Sequence, residues 1–121
     1  MIFLLTVEHS GTRYVWSRFN TPIIRYLADH ERWNPDTEWL FEHLHSALMP
    51  LIRATCARVR PIVTERNVEA IRASWVKRGK DLNVLAAQLA NYDEIISTYK
   101  PDIIKLGGGW DRLPDDVRMH V

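Results

Sequence analysis

The sequence predicts an α/β domain built on a small parallel sheet of about three strands flanked by helices. Three observations lead there. Short runs of β-branched or bulky residues recur at 2–7, 61–65 and 102–106. Stretches with helical spacing separate them, the alternation that parallel neighbours need for their crossovers. The chain has 121 residues, enough for one compact core and too few for two.

Ile2-Phe3-Leu4-Leu5-Thr6-Val7 is apolar on both alternating sets, which suits a strand buried on both faces. His9-Ser10-Gly11-Thr12 forms a turn, and Tyr14, Val15 and Phe19 continue at helical spacing. Asn20-Thr21-Pro22 interrupts, with Thr21 as cap and Pro22 at the first helical position, before Ile23, Ile24 and Leu27 resume a helical stripe. Leu40, Leu44 and Leu48 repeat every fourth residue and Pro50 breaks the run, so two short helices are expected over 36–56. Pro61 to Glu65 reads as the second strand. Asn67 caps a helix whose face is Val68, Ile71 and Trp75 and which ends at Gly79; Asp81 caps another carrying Leu82, Leu85, Leu89, Tyr92, Ile96 and Tyr99. Pro101 stops that helix, and Asp102 to Leu106 is the third strand.

Composition narrows the function classes. The chain is 46% hydrophobic and 26% charged, a globular balance that excludes disordered and fibrous classes. A net charge of +1 opposes wholesale coating of nucleic acid. Yet eight basic residues stand against two acidic ones between Arg53 and Lys80, which fits either a solvated helix face or a site for a small polyanion. The apolar run at the start is too short to span a membrane and lacks the basic flank of a signal peptide. One cysteine, Cys56, cannot form an internal disulfide, and a reducing cytoplasm is the expected setting. His43 and His45, two residues apart, would fall on different faces of a helix with no third ligand, so no metal is expected.

In parallel sheets ligands sit at the edge where the strands end and the helices begin. Two loops qualify, Glu8 to Thr12 and Glu65 to Asn67. A Ser10-Gly11-Thr12 turn between strand and helix aims backbone N–H groups at one anion, with Arg13, and His9 when protonated, adding positive charge. The same residues also fit an ordinary capped helix start. Gly-x-x-x-x-Gly-Lys-Ser/Thr is missing, which disfavours a nucleoside triphosphatase or a small nucleotide kinase.

Thr6-Val7-Glu8-His9-Ser10-Gly11-Thr12-Arg13-Tyr14 resembles the 5′-phosphosulfate loop of the sulfotransferase family. Arg66-Asn67, with Ser74 eight residues after the arginine, resembles the family's second hallmark, and the two occur in the family's order. The likeness implies a minimal, P-loop-like member that uses 3′-phosphoadenosine 5′-phosphosulfate as cosubstrate and no metal. By that likeness Ser10, Gly11, Thr12 and Arg13 hold the 5′ end, Arg66 and Ser74 the 3′-phosphate, and His9 stands where the family carries a basic residue beside the leaving oxygen. His43-Leu44-His45-Ser46-Ala47-Leu48-Met49-Pro50 is similar to the family's His-Leu-Pro stretch, which makes His43 the candidate base for a hydroxyl acceptor of unknown identity, with Glu8 or Glu42 as stand-ins. So short a chain leaves a shallow acceptor site, or one completed by a second subunit. The alternative from another class is a non-catalytic nucleotide- or phosphate-binding regulatory module derived from the same fold.

Overall fold

The computed structural model describes residues 2–8, 25–26, 39–65 and 67–105. Five strands, β1 (Ile2–Thr6), β2 (Arg25–Tyr26), β3 (Trp39–His43), β4 (Ile62–Glu65) and β5 (Asp102–Lys105), form one sheet in the order β2-β3-β1-β4-β5. Every neighbouring pair is parallel. The helices among the described residues are α1 (Met49–Cys56), α2 (Val68–Lys77) and α3 (Leu82–Tyr99), with a 3-10 turn at Ser46–Leu48 leading into α1.

β1 is the central strand, and its composition explains why. Phe3, Leu5 and Val7 face the helices, joining Leu40, Val63, Ile52, Ile71, Trp75, Leu85 and Ile95 in one core cluster. Leu4, in register with Phe41 and Ile62, lies on the opposite face, where all three are buried. A strand apolar on both faces belongs inside a parallel sheet.

The helix boundaries follow their local chemistry. The Asn67 side chain accepts from the backbone N–H groups of Glu69 and Ala70, and Asp81 accepts from Asn83. Gly79 has φ +64, the left-handed conformation that closes α2. Lys100 takes φ 46 at the end of α3, and Pro101 follows as the stop.

Several expectations change. Among the described residues the sheet has five strands rather than about three. Residues 39–43 are a strand, because Leu40, Phe41 and Glu42 are buried in succession, which no one-sided helix stripe allows. Pro50 starts α1 instead of breaking a helix, since a first-turn proline has no N–H to lose. Arg25–Tyr26 pairs with β3 as an edge strand, within the stretch expected to be helical. On α3, Leu82 is exposed, while Gln88 and Ile95 are buried. The helix expected after Thr12 lies outside the described residues.

Candidate functional site

β3, β1 and β4 run side by side and end at the same edge. His43 is the last residue of β3 and pairs in register with Thr6, the last of β1. Its Nδ1 lies 3.0 Å from Thr6 Oγ1, which fixes the imidazole against the end of the central strand. The Phe41 and His45 rings meet it edge-on at centroid distances of 5.0 and 5.9 Å. The extended backbone therefore puts His43 and His45 on one side, where a helix would have parted them. Among the described residues no group of three or more His, Cys, Asp or Glu could hold a metal ion.

Of the sequence-predicted site residues, His9, Ser10, Gly11, Thr12, Arg13 and Arg66 lie outside the described residues. The residues that flank them do not. Glu8 immediately precedes the Ser-Gly-Thr turn, and Glu65 and Asn67 bracket Arg66 at the end of the neighbouring strand. Ser74 sits half-buried on α2, and among the described residues its side chain is hydrogen-bonded to none of the groups at this edge.

Glu8 is the hub of the edge, which the sequence did not reveal. Its N–H donates to Gln88 Oε1 at 3.0 Å, and its carbonyl accepts from Trp75 Nε1 at 2.8 Å. Its carboxylate accepts from His45 Nε2 at 2.8 Å and from Gln88 Nε2 at 3.3 Å, and Lys80 Nζ reaches the other oxygen. Lys80 also lies 5.1 Å over the Trp75 ring. Residues from β1, the β3 exit, α2 and α3 thus converge on one backbone position.

These bonds also assign the His45 tautomer. A backbone N–H only donates, so the Gln88 oxygen must face Glu8 and its NH₂ must face His45 Nδ1, 3.2 Å away. Nδ1 is then the acceptor and Nε2 carries the proton given to Glu8. Both ring nitrogens are engaged, and His45 has none left for a substrate. One signal could have exposed this cluster: Gln88 falls three residues after Leu85, on the inward stripe of α3, where a buried amide demands partners.

Glu8 itself is a poor base. Burial pushes its carboxyl up, but the Lys80 and Gln88 hydrogen bonds, the adjoining His45 imidazole and the Lys80 charge outweigh it and leave the group below its ordinary value of 4.5. Such a group stabilises the fold above its unfolded value, and that contribution is lost as the pH falls through the folded one. Urea midpoints measured from pH 6 to about pH 3 should fall on acidification, and less steeply in Glu8→Gln. Lys80→Met should cost under about 1 kcal/mol at neutral pH, because the ammonium is partly solvated. An acid slope unchanged in Glu8→Gln would show that the carboxylate contributes nothing.

Beside this cluster, β4, β5, α2 and α3 line an open pocket of ≈ 650 Å³. Tyr92 lines it, its phenol pushed up to about 12 by burial and then by the nearby charges of Glu65 and Asp93. Cys56, by contrast, is a structural thiol: burial, and then the charge of Glu94, raise it to about 12.

Comparison with family models, curated proteins and solved structures yields no match. Among the described residues no helix is long and apolar enough to cross a membrane.

Proposed function

We propose that the protein binds 3′-phosphoadenosine 5′-phosphosulfate at the carboxyl edge of the sheet and transfers its sulfuryl group to a hydroxyl acceptor. One observation carries this reading. β1 and β4 are adjacent and parallel, so the segments that hold Ser10-Gly11-Thr12 and Arg66-Asn67 leave neighbouring strands at the same edge. Strands further apart, or antiparallel, would have separated the two resembling motifs.

Two local features agree. The Asn67 cap starts α2 directly after Arg66, so a helix N-terminus stands at that edge. The Lys80 ammonium answers the charge of Glu8 and the His45 N–H donates to it, so the residue leading into the anion loop brings no unopposed negative charge.

In the proposed reaction the acceptor oxygen attacks sulfur in line with the bond to the 5′-phosphate oxygen. The new S–O bond forms as that bond breaks, releasing adenosine 3′,5′-bisphosphate. His43 takes the acceptor proton on Nε2 while Thr6 holds Nδ1, and its strand-end position is the one the resemblance calls for. Ser10, Gly11, Thr12, Arg13 and His9 steady the leaving phosphate, and Arg66 with Ser74 the 3′-phosphate. A single buried thiol suits a reducing cytoplasm.

Thermal-shift titration with adenosine 3′,5′-bisphosphate, AMP and ATP tests the binding. At a hundredfold excess over Kd the bisphosphate should raise Tm by roughly 10 °C, more than the other two, and Arg66→Ala should remove its advantage. Equal response to all three, or none, would overturn the reading. Bisphosphate binding without sulfate transfer across a panel of hydroxyl compounds would favour the non-catalytic module.

A further inference from the structure

The ≈ 650 Å³ pocket falls within the roughly 300–1,000 Å³ range of small-molecule sites. Its walls come from four separate elements. Val7, Ile71, Leu89 and Ile96 give it an apolar lining, and Glu65 and Asp93 bring carboxylates from the end of β4 and the middle of α3. Apolar lining selects an apolar body, and the charges then select what that body carries.

The polar groups point one way. Neither Glu65 nor Asp93 has an ion-pair partner among the described residues, although Lys105 lies in register with Glu65 on the next strand. Glu65, Tyr92 and Asp93 line the same pocket, which brings both carboxylates to one side of the phenol. The Asn67 side-chain oxygen, also at the pocket, is already committed to the first turn of α2. An anion entering here meets two like charges. A neutral apolar ligand would strip water from the carboxylates and return nothing, whereas an ammonium replaces that water with charge-assisted hydrogen bonds.

We propose that this pocket is a binding site for a small apolar molecule bearing a protonated amine, with Glu65 and Asp93 as its counter-charges. Its counter-charges, Glu65 and Asp93, are not residues proposed to hold the nucleotide, although Asn67 borders both sites, and its test is read with amine probes rather than nucleotides.

The experiment is an NMR titration of the ¹⁵N-labelled 121-residue chain with three probes of matched shape: 2-phenylethylamine, 2-phenylethanol and 3-phenylpropionate. The amine should give saturable shifts centred on Ile71, Leu89 and Tyr92, with affinity at least about tenfold above the alcohol. The carboxylate should give none. Asp93→Asn and Glu65→Gln, both at exposed positions, should each weaken the amine several-fold, leave the alcohol unchanged and reduce the salt dependence of binding. Equal affinity for amine and alcohol in the wild type would overturn the proposal. So would an amine preference that survives in the double variant, or shifts that map elsewhere.

Discussion

Trp75→Ala should lower the unfolding free energy by about 3–5 kcal/mol, a large share of what a domain this size holds in reserve. The indole is 2% exposed and packs from α2 into the cluster formed by β1, β4 and α3. Truncation removes that contact, leaves a cavity, and deprives the Glu8 carbonyl of its Nε1–H donor. Trp75→Phe separates these effects. It keeps most of the apolar volume and loses the hydrogen bond, so it should cost about 1–2 kcal/mol. Urea denaturation of the two variants beside wild type checks both values, and a loss under 1 kcal/mol for alanine would mean that α2 is not anchored through this side chain.

Gln88→Leu comes next, at about 2–3 kcal/mol, although it replaces a polar group by an apolar one of similar size in a site only 1% exposed. Ordinarily such an exchange is mild. Here it leaves the Glu8 N–H, one carboxylate oxygen and His45 Nδ1 each short of a partner. The test is a double-mutant cycle with Glu8→Gln. Coupling above about 0.5 kcal/mol would mark the two as one network, and strict additivity would count against it.

Local chemistry made much of the fold legible. Asn67, Asp81, Gly79 and Pro101 announce their boundaries within a few residues, and α2, α3, β1, β4 and β5 stand close to where those signals put them. Within the 36–56 stretch expected to hold two short helices, Trp39–His43 is a strand although Leu40, Leu44 and Leu48 satisfy a helical period. What decides the matter is that Leu40 and Phe41 are both buried between neighbouring strands. The adjacent bulky residues Trp39, Leu40 and Phe41 were the available hint.

The site divides in the same way. Motif order along the chain suggested that two loops share an edge, and the β1–β4 pairing is consistent with that. The cluster around Glu8 could not be read, because Gln88 lies 80 residues away and His45 and Lys80 come from two further parts of the chain. No local pattern encodes which distant side chains meet one backbone amide.

The position of β1 bears on how the molecule is assembled. Both of its ladders close with segments that follow much later in the chain, Trp39–His43 on one side and Ile62–Glu65 on the other. During synthesis β1 waits, with two apolar faces uncovered, until Trp39–His43 and then Ile62–Glu65 have emerged. Folding is therefore governed by long-range closure rather than hairpin-like growth, and the nascent Ile2–Thr6 segment is the part of the chain most in need of shielding from aggregation.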